Sequence, residues 1–129
     1  MTSNLSIAEF MGGSADLESY RVNFPIKNGV KGIFITDLKY DCDWKWLMPV
    51  VEKIEEIRLP SPSIVNVRVD ISGTTCRIFK GEWNDSKEGF ISKYFQVDEK
   101  GTKIKSTYKA VVAFIEWYNT NIKDNKYVK

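Results

Sequence analysis

The side chains of this sequence that could do chemistry must do it without histidine, since its 129 residues include none. Histidine is the commonest general base, the commonest zinc ligand and the usual partner of a nucleophilic serine or cysteine. Without it most hydrolase mechanisms lose their central residue, and carboxylate, lysine or tyrosine chemistry is what stays open. Glu52, Glu55 and Glu56 fall on the polar side of one helical pattern. Glu55 and Glu56 are adjacent rather than facing, so together with Lys53 they read as a solvated face, not as an acid and base pair. Gly12-Gly13-Ser14 is not followed by the Gly-Lys-Ser/Thr of a phosphate-binding loop. Cys42 and Cys76 stand alone, without a CxxC pair, and are expected as two reduced thiols. No clustered metal-ligand set is visible, and the expectation is a protein with no catalytic residue, no metal and no cofactor.

Binding chemistry is better represented. Tyr40, Trp44 and Trp46 crowd one short stretch, and Trp83 stands in a charged, glycine-containing loop. Tryptophan, tyrosine and arginine dominate binding hot spots, so these rings are candidate anchors for a protein partner. The plainer reading is that the rings of DWKW are core anchors, each removing on the order of 200 Å² from water. Arg68, Arg77, Lys80, Lys93 and Tyr94 fall on segments of strand character, and convergent Arg and Lys beside an aromatic ring is what a nucleotide requires. For these the plainer reading is the wet face of a sheet.

The elements that would position these residues follow from periodicity. Ile7, Phe10 and Met11 have the spacing of a short helix stopped by Gly12-Gly13. Arg21 to Ile26 alternates, meets the hairpin signal Asn28-Gly29 and is followed by a second strand over Gly32 to Thr36. Pro25 cannot donate to a ladder, which predicts that its strand lies on an edge. Leu47, Val50, Val51, Ile54 and Ile57 form a helical stripe closed by Pro60 and Pro62. Pro49 puts the start of that helix near Trp46 or Leu47, or else implies a kinked first turn entered from Asp43. Val65, Val67, Val69 and Ile71 point one way, with Asn66, Arg68 and Asp70 opposite. After Ser72-Gly73-Thr74, the strand Thr75 to Lys80 returns with Cys76 and Ile78 on the dry face and Arg77 on the polar one. A third strand is expected over Phe90 to Val97. The stripe from Lys103 to Asn119 predicts a long helix capped by Thr102, and the basic tail 122–129 is expected to fray.

The predicted architecture is α+β: an antiparallel sheet of about three to five strands packed with two main helices, plus a short N-terminal helix, in one domain over residues 1–129. At this length roughly two-thirds of the unfolded surface can be buried without disulfides or metals. Hydrophobic residues make up 43% of the chain, which excludes general disorder, and no apolar run approaches the roughly 20 residues of a membrane span. The first residues lack the basic and apolar regions of a secretory signal, which predicts a cytosolic protein. Net charge is +2, too small to imply nucleic-acid binding. It is uneven: residues 1–60 hold seven Lys/Arg against nine Asp/Glu, and residues 61–129 hold twelve against eight.

Four stretches resemble a known family. IAEFMGG near the start, KYDCDWKWLMPVVEKIE, a β segment with a lone cysteine, and IKSTYKAVVAFIEWYN at the end are similar to the phage alpha-beta-alpha sandwich domain, a family of small phage and prophage proteins. The family often carries a histidine where Asp41 or Cys42 stands here. The resemblance implies a phage origin, an α/β sandwich and an accessory role, and it implies no reaction. Small phage proteins of this kind often disarm host defences. The expected function is therefore a non-enzymatic counter-defence inhibitor that blocks a bacterial effector protein or nuclease, or sequesters a nucleotide immune signal. An adaptor docking on a host or phage protein is the alternative, nucleic-acid binding ranks below both, and self-association stays open.

Overall fold

The computed structural model describes residues 2–59, 65–81, 92–98 and 102–120. Three α-helices and seven strands form an α+β fold: α1 (Thr2–Phe10), β1 (Ser14–Asp16), β2 (Arg21–Ile26), β3 (Gly29–Phe34), α2 (Trp44–Glu55), β4 (Arg58–Leu59), β5 (Val65–Ser72), β6 (Thr75–Gly81), β7 (Ser92–Asp98) and α3 (Lys103–Tyr118). The strands divide between two antiparallel sheets, a meander in the order β1-β2-β3 and a four-stranded sheet in the order β4-β5-β6-β7. Strand β1 is three residues long and β4 two. Neither has enough residues to show alternation, so neither is legible in the sequence.

Alternation along β5 and β6 builds the main layer. Val69 pairs with Ile78 and Ile71 with Cys76, so the apolar side chains of both strands stand on one face. Helices α2 and α3 pack on these strands, and α1 packs on α3. Ile7, Leu47, Val50, Ile54, Val67, Ile78, Val111, Phe114 and Ile115 are sealed in one contiguous core. Ser106 and Thr107 are buried with it, and each hydroxyl has a partner: Ser106 donates to the Thr74 carbonyl and Thr107 to the Lys103 carbonyl at 3.0 Å. Buried hydroxyls left without such bonds would cost about 1–3 kcal/mol each.

Helix α2 starts at Trp44. Asp43 is its N-cap, with Oδ1 accepting from the Lys45 N–H at 2.9 Å. Pro49 therefore lies inside the helix, beyond the first turn, and forfeits the bond to the Lys45 carbonyl. Lys45 and Pro49 are both exposed, so the orphaned carbonyl faces water rather than the core. Helix α3 starts as its sequence predicts, with Thr102 Oγ1 accepting from the Lys105 N–H at 3.3 Å.

The chain leaves α1 through Gly12, at φ +101°, with the Gly12 N–H donating to the Glu9 carbonyl at 3.0 Å and the Gly13 N–H to the Ala8 carbonyl at 2.8 Å. This bond pair is a Schellman stop. Gly13 then passes so close to the meander that an added Cβ would sit 2.4 Å from Val22 Cγ1 and 2.9 Å from Phe24 Cε1. Only a residue without a side chain fits there.

In the meander the loop residues are Lys27 and Asn28, and Gly29 already pairs with Ile26. Strand β3 ends at Phe34 and gives way to a 3-10 turn over Ile35–Asp37, so the second hairpin strand starts and stops earlier than its sequence predicts. Strand β2 is central, not an edge strand as Pro25 predicts. The proline is tolerated because β1 is short: it pairs with Arg21 to Asn23 only, and among the described residues nothing pairs with Pro25 on that side. The proline obeys its hydrogen-bonding rule locally while the strand as a whole does not.

Gly13→Ala should lower stability by about 1–3 kcal/mol, the usual cost of forcing a methyl into a packed site. Urea denaturation of the two proteins measures it, and an unchanged midpoint would mean that the meander shifts freely against α1.

Candidate functional site

The rings of the DWKW corner pack against the core. Tyr40 is 4% exposed and belongs to the core, and its ring meets Trp46 edge-to-face at 5.2 Å between centroids. Trp44 and Trp46 are half-buried and packed against the same core. The Asp43 cap fixes where α2 begins, and burial removes Tyr40 from the surface anchors that the sequence offers. Trp83, the other candidate ring, lies outside the described residues.

Of the basic strand residues, one is already engaged within the sheet. Arg77 stands directly across the ladder from Asp70 and is ion-paired with it, so its charge is answered within the sheet. Both side chains are close to half exposed, which puts the pair at about 0–1 kcal/mol of stability. Arg68 pairs in the ladder with Phe79, whereas Lys80 stands across from Val67, a member of the buried row. On β7 the register shifts beside Ile78 and Phe79, with Phe95 opposite Ile78 and Lys93 opposite Phe79, so Tyr94 is the extra residue of a bulge. Phe79 thus stands between Arg68 and Lys93 on one rung of the ladder, and Lys80 stands on the next.

A cleft of about 250 Å³ opens between Glu9, Phe10, Lys53, Ile57, Tyr118 and Asn119, where the C-terminal ends of all three helices meet. Lys53 Nζ donates to the Phe10 carbonyl at 2.6 Å and sits 5.0 Å from the centre of the Phe10 ring. An ammonium group at the carbonyl end of a helix and over an aromatic face is favourable on both counts. The cleft thus holds a cation supplied by its own chain. Its volume falls below the roughly 300–1,000 Å³ of ordinary small-molecule sites. Among the described residues no three of Cys, Asp and Glu gather in a way that could hold a metal ion.

The exposed apolar surface lies elsewhere. Six large hydrophobic residues are exposed among the described residues, and Leu17, Tyr20, Ile26, Val30 and Phe34 all belong to the meander, with exposures from 40% for Tyr20 to 70% for Leu17. Val22 is fully buried and Phe24 and Ile33 are half-buried, so the base of the hairpin is rooted in the core and its tip is not. Alternation places Val30 and Phe34 on one face, opposite Pro25 and Arg21. The Arg21 guanidinium lies 4.4 Å from the Phe34 ring centre. Tyr20, at φ +60°, occupies the left-handed region that a bulky residue rarely adopts. The turn before it is held by Asp16 Oδ1, which accepts from the Glu18 N–H at 3.1 Å. The sequence reading passes over these residues. The signal that could find them is the two-residue loop: once Lys27-Asn28 is the turn, the register that faces Phe34 to Arg21 and Val30 to Pro25 follows.

No family model, curated protein or solved structure matches this chain. No helix among the described residues is long and apolar enough to cross a membrane.

Burial raises the Tyr40 hydroxyl from 10.0 to about 12 and the Cys76 thiol from 9.0 to about 11. Both groups keep their protons in the fold at pH values where the unfolded chain has lost them. The stability tied to them is complete below about pH 9 and disappears as pH rises through about 9 to 12. Denaturation midpoints should be level up to that window and fall across it, and Tyr40→Phe should flatten the upper part of the fall. An equally steep fall in that variant would assign the alkaline loss to other groups.

Proposed function

We propose that this protein is a non-enzymatic phage accessory protein that inhibits a bacterial defence system by docking on a protein component of it in the host cytosol. The observation that carries the reading is the concentration of exposed Leu17, Tyr20, Ile26, Val30 and Phe34 on one projecting element. Val30 and Phe34 share one face of the hairpin and Ile26 lies on the other, and exposed apolar residues gathered on one element with a polar surround mark interaction surfaces on soluble domains. Arg21, Asp16, Lys27 and Lys31 supply that surround here. An apolar centre with an aromatic ring and an arginine is the composition of a protein interface, not of a phosphate site.

The resemblance of KYDCDWKWLMPVVEKIE and VVAFIEWYN to the phage alpha-beta-alpha sandwich domain supports the phage and counter-defence part of the reading. The absence of histidine from the sequence supports its non-enzymatic part. A nucleotide immune signal as the ligand has less support, because Arg77 is paired with Asp70 and the cleft beside Lys53 is small.

The test is phage plating on bacteria that carry individual defence systems, with and without this protein. One system should lose its protection, and its effector should co-purify with the inhibitor at a fixed ratio. Val30→Glu and Phe34→Glu, both on exposed positions, should keep the circular dichroism of the parent and abolish inhibition. Full inhibition by both variants would remove the meander from the interface, and unchanged protection across the panel would remove the function.

A further inference from the structure

Among the described residues strand β3 is the free edge of the meander, since the order β1-β2-β3 leaves nothing paired on its far side. Which backbone groups it presents there can be derived. The Ile35 N–H donates to the Tyr20 carbonyl at 2.9 Å, so position 35 exchanges hydrogen bonds with β2. In an antiparallel ladder hydrogen-bonded and non-hydrogen-bonded positions alternate. Ile33, Lys31 and Gly29 therefore bond inward to β2, opposite Val22, Phe24 and Ile26. Val30, Gly32 and Phe34 turn their N–H and C=O groups outward to the free edge. All three residues are exposed, and β3 carries none of the proline or bulge devices that protect an edge, only Lys31.

We propose that β3 pairs antiparallel with β3 of a second copy of this chain, about a twofold axis at Gly32, joining the two meanders into one continuous sheet. The pairing is self-complementary. A twofold axis perpendicular to the sheet keeps each face with its own kind, so residues facing one another across the axis must share a face. With Gly32 on the axis, Val30 meets Phe34 of the second copy, and Lys31 meets Ile33. The neighbouring register, centred on Lys31, would set two ammonium groups directly opposite each other, which disfavours it. In the Gly32 register the outward N–H and C=O groups of Val30, Gly32 and Phe34 all find partners. The antiparallel direction also brings the tip of one hairpin to the base of the other, placing Lys27 near Asp37 of the second copy. Both are exposed, and neither forms an ion pair among the described residues. The ladder is short and smaller than the roughly 1,200–2,000 Å² of a stable interface, so the dimer dissociates on dilution.

This inference is independent of the proposed function, because it is measured on the purified protein alone. Sedimentation at rising concentration should show the mass double. Val30→Pro removes an outward N–H that serves no bond within the chain, and it should leave a folded monomer. Register is read by single cysteines placed in a Cys42→Ser background under mild oxidation. Gly32→Cys should cross-link to itself, since directly paired positions fall within the roughly 4.4–6.8 Å Cα separation of a disulfide. Lys31→Cys should not. A parent chain that stays monomeric at every concentration overturns the pairing, and cross-linking at position 31 in place of position 32 overturns the register.

Discussion

Where the backbone leaves α1, Gly13 comes within contact of Val22 and Phe24, and this approach roots the meander in the rest of the molecule. Val22 is sealed and Phe24 and Ile33 are half-buried at that root. From Pro25 to Gly32 every residue is exposed. A β-hairpin in isolation is marginal in water, so the outer part of this one persists because its base is fixed. The arrangement separates two tasks. The layer of α2 and α3 on the four-stranded sheet supplies stability, and the hairpin presents surface that contributes little to the fold.

Much of the fold was legible because its signals are local. The alternation of Val67, Val69 and Ile71 against Arg68 and Asp70 defines a half-wet strand, and the stripe through Val111, Phe114 and Ile115 defines the last helix. Thr102 is a cap whose side chain bonds the first turn of its helix, whereas Pro49 leaves the start of α2 open between Trp46, Leu47 and an entry from Asp43, and the structure takes the last. What was not legible depends on partners distant in sequence. Pro25 reads as an edge residue, yet its strand is central, and the proline is tolerated because β1 pairs only as far as Asn23. For the rings of DWKW the core-anchor reading and the displayed-patch reading are both open in the sequence, and the packing of Tyr40 and Trp46 against the core favours the first.

The candidate site was read less well than the fold, and the cause is the same. Arg77 is one positive charge in a list until the register sets Asp70 opposite. Lys53 looks like one of several solvated residues on a helix, yet its ammonium closes the carbonyl end of α1. Composition counts charges without showing which are already answered, and in this protein the answered ones include those a sequence reading would first assign to a ligand. The exposed apolar residues show the converse. Val30 and Phe34 are ordinary strand residues by type, and they become a surface because the face they share stays exposed.

The two thiols differ in a way that experimenters can use. Cys76 is fully buried, and burial pushes its thiol up to about 11, whereas Cys42 is exposed in the loop before α2. A maleimide at neutral pH will therefore attach at a single point, without mutagenesis, on the corner that also carries Trp44 and Trp46. Those indoles can serve as energy donors to a dye placed there, giving an internal ruler for any event that loosens the corner.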